Sequence, residues 1–81
     1  MVNQIKPGIY KHYKGNLYEV IGTARSSEDI TKEYVIYKQL YQSVSSEGIP
    51  LPQGTLWARP KDIFLELIVT PTGTISRFSP L

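Results

Sequence analysis

His12 is the only histidine in this 81-residue chain, so any acid–base or metal chemistry built on imidazole has to be built there. One imidazole with carboxylates as its other ligands is a poor transition-metal site, and neither a metal nor any other cofactor is expected. The carboxylate best placed for His12 is Glu19, across a tight turn. A facing carboxylate would raise the imidazole pKa and make the pair a local pH-sensitive element. The second grouping is Trp57 with Arg59, alternate residues of a β-prone run and therefore on one face of a strand. A ring with a guanidinium beside it suits nucleic acids, anions or peptides. The competing expectation is that Trp57 plugs an end of the fold while Arg59, like Arg25, pairs with Glu28, Asp62 or Glu66. Tyr13, Lys14, Arg25 and Tyr37 complete the candidate binding residues. Gly-rich phosphate loops, Gly-x-Ser-x-Gly elbows, His-Glu-x-x-His pairs and zinc spacings do not occur.

The elements that must position these groups read as strands. Ile9 to Tyr13 and Leu17 to Arg25 flank Lys14-Gly15-Asn16, and a Gly-Asn pair between β-prone runs signals a two-residue hairpin. That turn pairs Tyr13 with Tyr18, His12 with Glu19 and Tyr10 with Ile21. It places Ile9, Lys11, Tyr13, Tyr18, Val20 and Ala24 on the core face and Tyr10, His12, Leu17, Glu19 and Ile21 on the other. A one-residue slip would exchange the faces. Glu33 to Gln42 is a third strand, apolar on both faces as a central strand is. Residues 43–54 form a long loop, locally extended at Ile49-Pro50-Leu51-Pro52. Thr55 to Arg59 is a short fourth strand, Pro60-Lys61-Asp62 a single helical turn, and Ile63 to Thr70 the last long strand. Thr70-Pro71-Thr72-Gly73 fits a type I turn, and in the terminal segment 74–81 Phe78 docks on the body.

Composition sets bounds on this reading. Residues 1–81 make one domain with one modest core, about 12 Å in radius of gyration. Without cysteine, disulfides and thiolate metal sites are out of reach, and packing must supply the stability. The first residues, Met1 to Gly8, lack the apolar run of a signal peptide, and no segment has the length of a membrane span; a cytoplasmic location is expected. Nine basic and seven acidic residues leave a net charge of +2, which does not by itself argue for nucleic-acid binding. Six tyrosines, two phenylalanines and one tryptophan accompany a single methionine, so the core must be largely aromatic.

Five short strands with one helical turn before the last long strand define a mostly β fold, a small SH3-like β-barrel. Several pieces also resemble a bacterial domain-of-unknown-function family, number 1653. They are Gly8-Ile9-Tyr10-Lys11-His12-Tyr13-Lys14-Gly15-Asn16-Leu17-Tyr18-Glu19-Val20, then Ala24-Arg25, Tyr37, Leu40 and Tyr41, then Leu56-Trp57-Ala58-Arg59-Pro60 with Phe64, and Arg77-Phe78. The resemblance covers nearly the whole chain and implies a single SH3-type barrel. Where the family pattern has histidine after Ala-Arg, this chain has Ser26, so an activity that used that histidine would be missing here. The loop between Tyr41 and Trp57 is longer than the family pattern implies.

The expected function is therefore a non-catalytic binding module that takes a nucleic acid, a peptide or a small anionic ligand. The expected state is monomer or weak homodimer. Two other classes stand beside it: a small enzyme or enzyme accessory using His12 and Glu19, and an oligomerisation unit joined through strand edges.

Overall fold

A computed structural model describes residues 5–81. The chain is mostly β: β1 (Gly8–His12), β2 (Leu17–Arg25), β3 (Glu33–Gln39), β4 (Ser43–Val44), β5 (Pro50–Leu51), β6 (Leu56–Pro60), the single turn α1 (Lys61–Phe64), β7 (Leu67–Thr70), β8 (Gly73–Ser76) and β9 (Phe78–Pro80). Five strands form one sheet in the order β6-β3-β2-β1-β9, all neighbours antiparallel. Its two edges, β6 and β9, do not pair with each other, so no ladder closes the expected barrel. Among the described residues no helix is long and apolar enough to cross a membrane.

The first hairpin differs from the expected register. Gly15 N–H donates to the His12 carbonyl at 2.7 Å and His12 N–H to the Asn16 carbonyl at 2.8 Å. Tyr13-Lys14-Gly15 is thus a three-residue loop, with Gly15 at φ +109° closing it in the left-handed region that glycine tolerates. Tyr10 now faces Tyr18, and Ile9 faces Glu19. Tyr10 is consequently a core residue and Ile9 lies on the open face, the reverse of the expected assignment for β1. In β2 the expected core positions Tyr18 and Val20 hold, but Ile21 is an extra residue between Val20, opposite Tyr37, and Gly22, opposite Ile36. This bulge exchanges the faces along the rest of the strand. Ala24, expected in the core, is exposed and faces Tyr34 on the outer side.

Ile63 to Thr70 is not one strand. Pro60 ends β6, Ile63 and Phe64 belong to α1, and the turn runs on through Leu65 N–H to the Lys61 carbonyl and Glu66 N–H to the Ile63 carbonyl. Those amides are then unavailable to a ladder. Leu67 onward pairs instead with β8, through a two-residue connection at Pro71-Thr72. The fifth strand of the sheet is β9, which the sequence offered only as a docking segment. It delivers Phe78 opposite His12.

The core is Tyr10, Val20, Val35, Tyr37, Phe64 and Phe78. Phe64 and Phe78 stack with centroids 4.3 Å apart, so α1 covers the sheet face that β9 completes. The opposite face carries the exposed Ile9, Leu17, Ile21 and Leu56 and a Glu19–Lys38 ion pair at 3.5 Å. Residues 43–54, expected without regular structure, contain the small β4–β5 ladder, extended at Pro50-Leu51 as the prolines require. The β7–β8 hairpin stands apart from the sheet with Val69 84% exposed. The radius of gyration is 13.6 Å, above the ~12 Å of a compact chain of this length, as expected when two small ladders lie outside the main sheet.

Burial predicts how the core responds to truncation. Val35→Ala, at a position with no exposure, should cost about 2–3 kcal/mol from lost transfer energy and the cavity left behind. Ile21→Ala, on the half-exposed bulge, should cost about 1 kcal/mol or less. Urea denaturation of both variants tests this, and equal losses would contradict the assigned faces.

Candidate aromatic and basic binding site

The ladders gather one set of side chains. His12 faces Phe78, Tyr18 faces Gln39, Val20 faces Tyr37, Tyr37 faces Trp57 and Val35 faces Arg59. Directly opposed residues share a face, so His12, Tyr18, Tyr37, Gln39, Trp57, Arg59 and Phe78 lie on one side across all five strands. Ring centroids of His12 and Phe78 are 5.0 Å apart, of Tyr18 and Tyr37 5.3 Å, and of Tyr37 and Phe78 5.5 Å. The Arg59 guanidinium sits 5.8 Å from the Phe78 ring centre, in cation–π range. Phe78 therefore neighbours both His12 and Arg59.

Hydrogen bonds hold these groups in place. Arg59 Nε donates to the Tyr37 hydroxyl at 3.0 Å. Among the described residues, its terminal nitrogens meet no acceptor and no carboxylate forms an ion pair with it. Trp57 Nε1 donates to Gln39 Oε1 at 3.1 Å, which sets the indole plane while leaving the ring 37% exposed. Gln39 itself is buried, and its Nε2 donates to the carbonyls of Tyr41 at 2.8 Å and Leu51 at 3.0 Å. The Tyr18 and Tyr41 hydroxyls bond to each other. Lys14 N–H donates to His12 Nδ1 at 3.1 Å, so neutral His12 carries its proton on Nε2.

The electrostatics are one-sided. Burial, then the positive charges of Arg77, Arg59 and Lys14, hold the His12 pKa below its ordinary value of 6.5. This is opposite to the direction expected from a Glu19 partner. Burial first, then the bond to Tyr41, pushes the Tyr18 phenol well above its ordinary range. Arg77, in the segment leading into β9, pairs with Glu66, and its Nε is buried without a hydrogen-bond partner.

The structure distributes the sequence-derived candidates as follows. His12, Tyr37, Trp57 and Arg59 share the face just described. Tyr37 is 3% exposed, so it supports Arg59 from below and offers no surface of its own. Tyr13 and Lys14 lie in the adjoining turn, with the Tyr13 ring 4.7 Å from His12 and Lys14 Nζ 5.8 Å from the Tyr13 ring. Glu19 does not pair with His12: it lies on the opposite face, bound to Lys38, because the loop is three residues long. Arg25 is also remote, seven residues along β2 from Tyr18, or about 23 Å. It faces Glu33 and donates to the Ile30 carbonyl at 3.0 Å. Neither arginine makes an ion pair with Glu28, Asp62 or Glu66. Ser26 caps the turn after β2, accepting from Glu28 and Asp29 N–H at 3.2 and 3.3 Å, far from His12.

Sequence reasoning missed the Tyr18–Tyr41 pair, Gln39 and Arg77. The alternation Val35, Tyr37, Gln39 was the available signal for Gln39, and Arg77 was marked only by standing next to Phe78. No group of three or more His, Asp or Glu side chains with the makings of a metal site occurs among the described residues.

These features define a small, mostly β domain with a combined aromatic and basic face. The family's sequence pattern, described as "Protein of unknown function (DUF1653)", matches residues 8–80. The chain belongs to the DUF1653 family. It is similar in structure to a DUF1653 protein from Bordetella bronchiseptica, with 28% identity and a TM-score of 0.78 over 100% of this chain and 92% of that one. No curated protein matches the sequence.

Two measurements check the site's geometry. The folded-state pKa of His12 lies below the unfolded value, so protonation favours the unfolded chain. This contribution to stability is fully present above pH 6.5 and is lost as the pH falls from there through the folded pKa. An NMR titration of the imidazole should give a midpoint below 6.5; a midpoint at or above it would mean that an acid outweighs burial and the cations around the ring. Gln39→Leu should cost about 3 kcal/mol by leaving two carbonyls and the indole N–H unpaired, and should shift Trp57 emission to the red. Unchanged emission would show that Gln39 does not position the ring.

Proposed function

We propose that this protein is a non-catalytic binding module whose ligand sits on the face formed by His12, Trp57 and Arg59, with Lys14 and Tyr13 at its rim. The single observation that carries this reading is an imbalance. Arg59, Arg77 and Lys14 all act on His12, and among the described residues the only carboxylate paired with any of them is Glu66, on Arg77. Gathering three cations around one imidazole is unfavourable in the free protein, and an anionic ligand would relieve it. The exposed Trp57 ring adds a flat surface against which an unsaturated group can stack. The strand order supports an SH3-like reading, in an open rather than ladder-closed form. Counted within the main sheet it runs 4-3-2-1-5, with a helical turn before the fifth strand.

A fragment screen followed by Trp57 fluorescence and backbone amide shifts tests the proposal. Ligands should shift amides at His12, Trp57 and Arg59, and both Arg59→Ala and Trp57→Ala should weaken them tenfold or more, about 1.4 kcal/mol each, with the circular dichroism spectrum unchanged. Binding that both folded variants retain at full strength would place the ligand elsewhere and end the proposal.

A further inference from the structure

The donor chemistry of this face narrows its ligand further, on the assumption that the face is the binding site. The polar groups on this face and its rim are nearly all hydrogen-bond donors: the terminal nitrogens of Arg59, which bonds internally only through Nε, the Nε2–H of His12, whose Nδ1 is taken by the Lys14 amide, and the Lys14 ammonium over the Tyr13 ring beside His12. The Tyr18–Tyr41 pair can give or accept through its hydroxyls. A group with three acceptor oxygens and more than one negative charge matches this set better than a carboxylate with two oxygens and one charge. Trp57 stands two residues before Arg59 on the same face of β6, so their Cα atoms are about 7 Å apart. A nucleoside base stacked on the indole would reach a phosphate at Arg59 across that interval. The indole cannot turn freely to meet other shapes, since Gln39 holds its N–H.

We infer that the ligand is a nucleoside monophosphate, its base stacked on Trp57 and its phosphate monoester held by Arg59, His12 and Lys14. Arg59 is anchored for this task by Tyr37 through Nε, which leaves its terminal nitrogens for the phosphate. His12 is fixed as the Nε2–H tautomer by the Lys14 amide, so it donates to the phosphate while neutral. The charged or titratable groups around His12 are Lys14 and Tyr13 from the turn, Tyr18 from β2, Arg59 from β6 and Arg77 from the approach to β9. A bound dianion opposes the three cations among them and raises the imidazole pKa.

The same phosphate and base chemistry occurs in a free mononucleotide and in a single strand, so the test compares both. AMP, adenosine, inorganic phosphate and a short oligoadenylate without terminal phosphates are titrated against the full chain, following Trp57 fluorescence and the His12 imidazole resonances. AMP should bind at least tenfold more tightly than adenosine or phosphate, quench Trp57 and move the His12 midpoint upward. Arg59→Ala should reduce AMP to the affinity of adenosine, and Trp57→Ala should reduce it to that of phosphate. Equal binding of AMP and adenosine, or no binding of AMP, overturns the inference. Tighter binding of the oligonucleotide overturns the monoester in favour of a strand. A different ligand that depends on Trp57 and Arg59 while AMP fails to bind would leave the broader binding-module proposal standing and remove only this one.

Discussion

A buried amide organises one end of this fold. Gln39 is 1% exposed, and a primary amide in that position is tolerable only if its donors and acceptor are used. They are: Nε2 reaches the carbonyls of Tyr41 and Leu51, and Oε1 receives the Trp57 indole. The three partners come from the residues just after β3, from β5 and from β6, so one side chain ties three segments together. The backbone joins in, since Gln39 N–H donates to the Thr55 carbonyl and Gly54 N–H to the Gln39 carbonyl. Residues 43–54 are ordered around this group, and the exposed indole takes its orientation from it.

The other end depends on parity. Because side chains alternate across a strand, each register decides which residues meet. Gly15 closing a three-residue loop sends Tyr10 and His12 inward with Tyr18 and Val20; a two-residue loop would have sent Ile9 and Lys11 instead. β9 then pairs with β1 so that Phe78 lies opposite His12. The bulge at Ile21 makes the far half of β2 follow the other alternation, so Arg25 lies opposite Glu33, and its distance along the strand keeps it remote from His12.

Much of this was legible in the sequence because it rests on composition and punctuation. The mostly β character, β2, the strand with Trp57 and Arg59 on one face, the helical turn after Pro60 and the turn at Pro71 follow from strand-forming residues bounded by proline and glycine. What was not legible depends on long-range competition. Gly15-Asn16 fits a two-residue turn and a glycine-closed three-residue loop alike, and only packing of Tyr10 against Phe64 and Pro80 opposite it selects the second. Ile63 to Thr70 reads as a strand by propensity, but the continued turn at Leu65 and Glu66 uses the amides a ladder would need. The His12–Glu19 pair disappeared with the register, while Trp57 and Arg59 survived because their shared face follows from spacing alone.

The charge pattern of the aromatic face has a thermodynamic consequence. A fold optimised only for stability would set a carboxylate beside Arg59, as it does beside Lys61 with Glu33 at 3.3 Å and beside Arg77 with Glu66. The chain has seven acidic residues, so carboxylates are not scarce; Glu19, the one nearest His12 in sequence, is turned to the opposite face and held by Lys38. Arg59 is steadied by a neutral phenol, which fixes its position without cancelling its charge. The result is a guanidinium that is positioned but not neutralised, beside an imidazole kept neutral by its surroundings. An arrangement of that kind gives up stability in the free protein and leaves the face ready for an anion.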